Sequence, residues 1–308
     1  MKSGSEQNFQ LTSSAPLWIA SRSLIAQHGA DFFSRWSEVA QAYQEDEVHD
    51  LRVASRRLRE GLFLFSPCFP EKERKRLAKK VKKVTRMLGE LRNTDEAVRF
   101  FSRFTTKESS HCRQQVQELL AGLRLEREQV HEKLEQEFAQ FDPEPLKADF
   151  YTIREDGNLF FSAGSDPFVD VLSFAGEAIS ERAATVGKLL PAALQEADGA
   201  AQHRLRIAVK KLRYRLELLA PFLGESYPYL HKTLKEYQDA LGKLHDVDVF
   251  GDLVRMGVPE GEGREALLQV MAERRVKLFR TLLALLEKTP LDSIGDRARE
   301  ALISPNKL

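Results

Sequence analysis

Apolar residues recur every three or four positions along most of the 308-residue chain, and sustained alternation of apolar and polar residues is absent. The first spacing is that of a helix face and the second is that of a strand, so the pattern predicts an all-α protein. Each half of the chain shows the pattern of four longer helices, with a short extra helix before the last of them. The longer helices are predicted at about residues 17–36, 48–65, 72–91 and 112–140, and again at 168–189, 202–219, 228–244 and 264–288.

The second predicted helix of each half carries nearly the same sequence. His49-Asp-Leu-Arg-Val-Ala-Ser-Arg-Arg-Leu-Arg59 aligns without a gap with His203-Arg-Leu-Arg-Ile-Ala-Val-Lys-Lys-Leu-Arg213 at an offset of 154 residues, with six identical and three conservative positions. The match resumes at an offset of 153, where Leu88-Gly89-x-Leu91 corresponds to Leu241-Gly242-x-Leu244. Agreement in two separate segments predicts an internal duplication and therefore two helical bundles.

The duplication also predicts the domain boundaries. Repeat 1 covers residues 16–141 and repeat 2 covers residues 167–290, with a connector at 142–166 between them. Residues 1–15 are expected to form a flexible N-terminus and residues 291–308 a C-terminal tail. Prolines and glycines mark the connector, and its Leu159-Phe160-Phe161 segment is interpreted as either a short strand or a packed plug.

Positive charge is concentrated in two segments, although the net charge of the whole chain is only +1. Residues 49–99 carry +8 and residues 203–243 carry +5, which leaves −12 on the remainder. Two basic segments in an otherwise acidic chain predict a localised site for an anion.

The second helix of each repeat places its cations on one face. With 100° between successive residues, His49, Arg52, Arg56 and Arg59 fall within an arc of about 80°. The opposite side is apolar and is expected to pack into the bundle; it consists of Leu51, Ala54, Leu58, Leu62 and Phe65. The second repeat keeps the cationic face as His203, Arg206, Lys210 and Arg213, and Arg57 and Lys211 flank the two faces.

The third helix of repeat 1 is more basic still, with nine Lys and Arg residues between positions 72 and 86. Like charges one helical turn apart repel, so an unbalanced stripe that recurs in both repeats favours an anionic partner over an ordinary solvated face. Arginines offer paired donors to phosphate oxygens and lysines add mobile point charges. The candidates from this helix are Lys79, Lys82, Lys83 and Arg86, with Lys232 and Lys235 as weaker counterparts in repeat 2.

The doubled His-x-x-Arg-x-x-x-Arg/Lys-Arg/Lys-x-Arg pattern resembles that of the conserved histidine α-helical domain family, called CHAD. Residues 88–95 and 241–248 look like that family's Leu-Gly-x-x-Arg-Asp-x-Asp segment, with Asn93 where the family favours Asp and His245 where it favours Arg. The likeness covers nearly the whole chain. The Glu-x-Glu-x-Lys strand of the triphosphate-processing barrel that is fused to some family members does not occur in this sequence, which indicates the stand-alone form.

The resemblance implies two helical bundles related by a pseudo-twofold axis, with a basic groove or pore between them that binds inorganic polyphosphate without catalysis. We therefore expect no catalytic residue, cofactor or metal. Association with polyphosphate granules is a further hypothesis from the resemblance. The ligand contacts carried over from the motif are His49, Arg52, Arg56, Arg57, Arg59, His203, Arg206, Lys210, Lys211 and Arg213.

Three other functions remain as alternatives. Nucleic acid is the strongest, since a basic groove attracts any phosphate backbone, but the stripes hold almost no aromatic residue on which bases could stack. A metal site would use the histidines, with His245-Asp246-x-Asp248 as its best remnant, and a phosphotransfer enzyme would use His49 as a phosphoryl acceptor. In the plainest interpretation, His49 and His203 simply cap or pack at the start of their helices.

Cysteine usage and hydropathy bear on the compartment. Cys68 and Cys112 are too few for a disulfide framework, and no apolar run approaches the ~18 residues that span a bilayer. We expect a cytoplasmic protein that binds no membrane.

Overall fold

The computed structural model describes residues 15–104, 112–155, 166 and 168–303. These residues form helices joined by short turns, and they contain no strand beyond an isolated bridge between Pro16 and Asp170, which confirms the all-α class. The helices are α1 (Leu17–Ala42), α2 (Glu45–Leu64), α3 (Glu71–Phe104), α4 (Arg113–Ala139), α5 (Glu144–Glu155), α6 (Val171–Ala193), α7 (Gly199–Leu218), α8 (Ala220–Leu223), α9 (Tyr227–Gly257), α10 (Glu262–Lys288) and α11 (Ser293–Ile303).

Local sequence explains where the helices that carry the His motif begin. Glu45, Asp46 and Glu47 occupy the first turn of α2, where carboxylates offset the positive end of the helix dipole. Asp198 caps α7, because its side chain accepts a hydrogen bond of 2.7 Å from the backbone amide of Ala201. The apolar face predicted for α2 is buried throughout, from Leu51 to Phe65.

The helices recur in the same order in the two halves of the chain. Helices α1 to α4 correspond in order to α6, α7, α9 and α10, and α2 and α7 are offset by the 154 residues that separate the two His motifs. In each half the last Asp of the Leu-Gly segment binds an arginine of the following long helix. Asp95 pairs with Arg127 at 2.6 Å, and Asp248 pairs with Arg275 at 2.6 Å. The common origin of the halves remains a prediction from the sequence.

Two apolar clusters hold the halves together. The larger cluster extends through both halves and includes the α2–α7 contact, where a Cβ on Gly61 would lie 3.4 Å from the side chain of Leu218 on α7. The smaller cluster joins the far ends of α3 and α9 to α4 and α10, with Phe101 and Phe250 at its centre. Because apolar packing occurs at both ends of the α3–α9 pair, the polar residues between the clusters are left around a cavity.

Several boundaries differ from those that the sequence predicts. Helices α3 and α9 continue to Phe104 and Gly257, so the residues expected to form a separate short helix in the second half belong to α9. The connector contains α5, which packs on α3 and α1, and the predicted tail contains α11, which packs on α6. Short amphipathic helices of 11 or 12 residues resemble loops in composition and are stabilised mainly by their tertiary contacts. The Leu159-Phe160-Phe161 segment and the expected flexible residues 1–14 lie outside the described residues.

No helix in the described part of the chain is long and apolar enough to cross a membrane.

A buried carboxylate connects α2, α7 and α9. Glu217 on α7 accepts a hydrogen bond of 2.7 Å from Nε of Arg57 on α2, and another of 2.5 Å from Arg213 within α7. Nε2 of His231 on α9 lies 3.0 Å from the same carboxylate. Only 4% of the Glu217 side chain is exposed, so two arginines share one negative charge where water has little access.

We expect Glu217→Ala to lower the free energy of unfolding by about 3 kcal/mol, because it leaves Arg57 and Arg213 without their shared counter-charge. Urea denaturation followed by circular dichroism measures the loss. Glu225→Ala is the control, since Glu225 is exposed in the turn before α9 and its loss should stay within about 0.5 kcal/mol. Equal unfolding midpoints for the two variants would show that the buried carboxylate does not hold the halves together.

Candidate functional site

A cavity of about 520 Å³ lies between the two halves. Helices α2 and α3 of the first half and α7 and α9 of the second supply most of its wall, and α4 closes one side. We call it the central cavity. Its charged and titratable lining residues are Arg52, Arg56, Arg92, Arg206, Lys210, His49, His245, Glu96, Glu126 and Asp246.

Glycines of the Leu-Gly segments let two arginines cross α3 and α9 at short range. A Cβ on Gly89 would lie 2.7 Å from Nη1 of Arg52, so a larger residue there would displace the guanidinium group. In the second half, a Cβ on Gly242 would lie 3.8 Å from Nε of Arg206. The arginine three residues after the motif histidine therefore contacts a glycine of the next long helix in both halves, and only at Gly89 would a side chain crowd it.

Four cations of the central cavity influence one another across the α2–α7 contact. Burial, followed by the charges of Arg56, Arg206 and Arg52, lowers the pKa of Lys210 to about 8. Burial and Arg56 likewise lower the pKa of Arg52 to about 10. Nε of Arg206 is buried and has no hydrogen-bond partner among the described residues. The cavity thus concentrates positive charge and leaves Nε of Arg206 without an acceptor among the described residues, and an anion would offset both.

Two carboxyl groups face these cations from the far wall. Glu96 lies on α3 and Asp246 lies on α9, and both line the central cavity. Burial and the charge of Glu96 raise the pKa of Asp246 to about 6, although Arg206 and Arg92 act in the opposite direction. One of the two carboxyl groups therefore takes up a proton under mildly acidic conditions.

The two motif histidines lie in different surroundings. His49 is solvent-exposed at the central cavity, and partial burial together with Arg92 lowers its pKa. His203 instead contacts His245, with their Nδ1 atoms 3.1 Å apart. Such a contact requires that one ring donates and the other accepts, which fits the lowered pKa of His203 and a pKa of about 4 for His245.

Some of the predicted contacts lie away from the cavity. Arg57 and Arg213 point to Glu217 instead, and Lys211 is exposed. Arg59 is half-buried, and burial together with the charges of Arg56 and Arg86 lowers its pKa. Arg59 therefore lies near both Arg56, which lines the central cavity, and Arg86, which is exposed on α3, and we call these three residues the cationic path.

The basic face of α3 is divided between two roles. Arg76 and Lys80 bind Asp149 on α5 at 2.9 and 2.6 Å, so a short helix that the sequence did not predict neutralises them. The remaining candidates are exposed on the surface, and Lys83 lies over the ring of Phe141 at 5.2 Å. These exposed residues are Lys79, Lys82, Lys83 and Arg86 on α3, and Lys232 and Lys235 on α9.

A model of the CHAD domain family matches residues 23–255. The chain belongs to the CHAD domain family. The crystal structure of the CHAD domain from the plant Ricinus communis superposes with a TM-score of 0.62 at 22% sequence identity, covering 97% of this chain and 95% of that one. PptA from Streptomyces chartreusis superposes with a TM-score of 0.60 at 13% identity, covering 94% of this chain and 99% of that one. Comparison with the curated proteins finds no match.

The cavity residues of this CHAD domain that the sequence did not predict as phosphate contacts follow the Leu-Gly pair on α3 and on α9. Arg92 and Glu96 follow Gly89 by about one and two turns of α3, and His245 and Asp246 follow Gly242 on α9. The recurrence of this segment at an offset of 153 was the available signal for Arg92 and His245. Nothing in the pattern indicated that acids would line a basic site. Among the described residues of the CHAD domain, no three His, Cys, Asp or Glu side chains are grouped as a metal ion would require.

We expect the amine of Lys210 to titrate near pH 8, and we expect Arg56→Gln to raise that pKa by removing a nearby positive charge. The rate of acetylation of Lys210 as a function of pH, measured by peptide mass spectrometry, reports the pKa. Arg204→Gln is the matched control, because Arg204 is exposed on the same helix and does not line the central cavity. If the pH profile of Lys210 acetylation in Arg56→Gln coincides with that of the unaltered protein, the charge of Arg56 does not lower the pKa of Lys210.

Proposed function

We propose that this CHAD domain binds inorganic polyphosphate, without catalysing a reaction, through the central cavity. The observation that carries the proposal is the convergence of Arg52, Arg56, Arg206 and Lys210 from two helices at a cavity where burial and their mutual repulsion lower the pKa of Lys210 to about 8. A polyanion offsets that repulsion with many phosphate oxygens at once, and arginine guanidinium groups match such oxygens in pairs.

The layout of cations favours a chain over a single phosphate. The cationic path through Arg56, Arg59 and Arg86 leads from the cavity to the exposed lysines of α3. A linear polymer with one charge or more per unit can contact both regions, and each neutralised phosphate adds to affinity through the release of counterions. The surface lysines then act as point charges along the chain rather than as parts of a fixed pocket.

The cellular role proposed here is recruitment. A binding module without chemistry of its own could bring this protein to polyphosphate granules in the cytoplasm. A fluorescent fusion that spreads evenly in granule-containing cells would count against that role.

Nucleic acid is the competing ligand. Sequence-tolerant binding of single strands relies on aromatic rings on which bases stack, interleaved with cations. In the central cavity Phe250 is the one aromatic residue among the described lining residues, and the ring of Tyr214 nearby is buried. The cavity therefore offers phosphate contacts without base contacts, which supports polyphosphate over RNA.

Calorimetric titration of long-chain polyphosphate at physiological salt tests the proposal, with single-stranded RNA of matched total charge as competitor. We expect tight binding that RNA does not displace, and an affinity that falls on the order of 10³-fold between 50 and 200 mM salt if about eight phosphates are neutralised. Arg206→Gln should weaken binding by about tenfold or more, because a charged hydrogen bond contributes about 1.5–3 kcal/mol.

Arg204→Gln serves again as the matched control, since it removes the same charge from the exposed side of α7. Its effect should be small compared with that of Arg206→Gln. Preferential RNA binding, absence of binding to either polymer, or equal losses from the two variants would overturn the assignment of the ligand or of the cavity.

We expect Asp246→Asn to strengthen polyphosphate binding at pH 7.5 and to have little effect at pH 5.5. The carboxyl group of Asp246 has a pKa of about 6, so it is ionised and repels the polymer at the higher pH and is largely protonated at the lower. The gain at pH 7.5 should be on the order of threefold to tenfold, since one coupled proton changes affinity by at most tenfold per pH unit. Calorimetry at the two pH values measures it.

Asp239→Asn provides the control for that experiment, because Asp239 is exposed on the same helix and lies outside the central cavity. A gain in affinity from Asp246→Asn that is the same at both pH values, or that Asp239→Asn reproduces, would show that ionisation of Asp246 does not weaken polyphosphate binding.

A further inference from the structure

Lys210 is the one lysine among the described residues that line the central cavity. It lies on α7, and the positive charges of Arg56, Arg206 and Arg52 all act on its amine. No carboxylate in the described part of the chain forms an ion pair with Lys210. Arginine remains charged at neutral pH, so Lys210 is the member of this cation cluster that can present an uncharged amine.

Burial and the neighbouring charges favour that uncharged form. With a pKa of about 8, roughly one Lys210 amine in ten is uncharged at pH 7, whereas a lysine with the ordinary pKa of ~10.4 has fewer than about one in a thousand. The uncharged amine is the form that attacks an electrophilic carbon. Lys210 is therefore suited to react with an acyl group that the cavity holds beside it.

The arginines around Lys210 provide a place for the phosphate group of such a molecule. Nε of Arg206 is buried and has no acceptor among the described residues, and Arg52 and Arg56 line the same cavity. Guanidinium groups bind phosphate oxygens in pairs. Apolar side chains also line the cavity of about 520 Å³ and could contact a short acyl chain, namely Val53, Ala97, Leu123, Val249, Phe250 and Leu253.

We propose that Lys210 is a site of covalent acylation by small acyl phosphates, whose phosphate group binds to the arginines of the central cavity. The lone pair of Nζ attacks the carbonyl carbon, and the bond from that carbon to the phosphate oxygen breaks, leaving its electron pair on the phosphate. The proton released by the nitrogen passes to the departing phosphate. The products are an amide on Lys210 and hydrogen phosphate, so the reaction needs no further reactant.

The bound phosphate acts on the reaction in two opposite ways. Its negative charge offsets the repulsion from the arginines and so raises the pKa of Lys210 part of the way back. The arginines, in turn, stabilise the negative charge that develops on the leaving oxygen, and they hold the carbonyl carbon near the amine. We therefore expect a rate advantage of about tenfold, which is smaller than the ratio of uncharged amines alone would give.

Acylation of Lys210 also has a consequence for the proposed function. It removes one positive charge from the central cavity and leaves a neutral amide there. If the cavity binds polyphosphate, the modified protein should bind it about tenfold less tightly, because a charge-assisted hydrogen bond is lost. Bound polyphosphate should in turn protect Lys210 from acylation, since both occupy the same arginines.

Incubation of the full chain with acetyl phosphate at pH 7.5, followed by peptide mass spectrometry, tests the inference. Lys211 is the internal reference, because it is the next residue on α7 and is exposed outside the central cavity. A parallel arm uses p-nitrophenyl acetate, a neutral acyl donor without a phosphate group. We expect Lys210 to be acetylated faster than Lys211 by acetyl phosphate, and the ratio of the two rates to be about tenfold higher with acetyl phosphate than with the neutral ester.

Two arginine variants test the binding of the phosphate group. Arg206→Gln should lower the Lys210-to-Lys211 rate ratio several-fold more with acetyl phosphate than with p-nitrophenyl acetate. The variant also removes a charge that lowers the pKa of Lys210, but that effect is common to both donors. Arg204→Gln, which removes the same charge from an exposed position of α7, should change neither ratio. Circular dichroism verifies that both variants are folded.

Two results would overturn the inference. Equal rate ratios with the two donors mean that the cavity does not bind the phosphate group of acetyl phosphate. Acetylation of Lys210 by acetyl phosphate that is no faster than that of Lys211 means that Lys210 is not a preferred site.

Long-chain polyphosphate as a competitor separates the inference from the proposed function. Selective protection of Lys210 supports both. An unprotected Lys210 that still prefers acetyl phosphate supports the acylation site and contradicts the proposed binding of polyphosphate in the central cavity.

Discussion

Repulsion among Arg52, Arg56, Arg206 and Lys210 is the constraint to which the rest of the structure is adapted. Four cations lie together where α2 meets α7, and burial together with the charges of the other three lowers the pKa of Lys210. Apolar packing on either side holds them there. The large shared cluster fixes α2 against α7, and the Phe101–Phe250 cluster fixes the far ends of α3 and α9. Burial of apolar surface therefore supplies the free energy that keeps like charges in proximity.

Carboxylates determine which of the many basic residues remain available. Glu217 forms ion pairs with Arg57 and Arg213, and Asp149 forms ion pairs with Arg76 and Lys80. The cations of α2 and α7 that line the central cavity have no such partner in the described part of the chain. Two basic segments thus produce one confined basic site, because acids from other helices form ion pairs with the cations that face elsewhere.

The sequence predicts the helical class, the four long helices of each half and the face that each motif helix buries, because these follow from a 3.6-residue period and need no tertiary information. It also predicts five of the residues that approach the cavity, namely His49, Arg52, Arg56, Arg206 and Lys210. The sequence does not show that Arg56 lines the cavity and that Arg57 does not, because the two are adjacent arginines on one helix. Only the tertiary contact between Arg57 and Glu217 distinguishes them. Partners 160 residues apart, such as Arg57 and Glu217, leave no local pattern. For the same reason the sequence does not reveal that Asp246 lines the central cavity, or that α5 supplies a carboxylate to the cations of α3.

The Arg57–Glu217 contact also makes the two halves structurally different, because neither residue is repeated at the corresponding position of the other half. The residue that corresponds to Glu217 in the first half, at the offset of 154, is Phe63, and its ring instead lies beneath the guanidinium groups of Arg182 and Arg215. The counterpart of Arg57 is Lys211, which is exposed. A symmetric dimer assembled from two first halves would have no carboxylate for its two copies of Arg57, and one assembled from two second halves would have no Arg57 to share its copies of Glu217. The contacts between the two halves are therefore not symmetric: the Arg57–Glu217 ion pair needs one residue from each half.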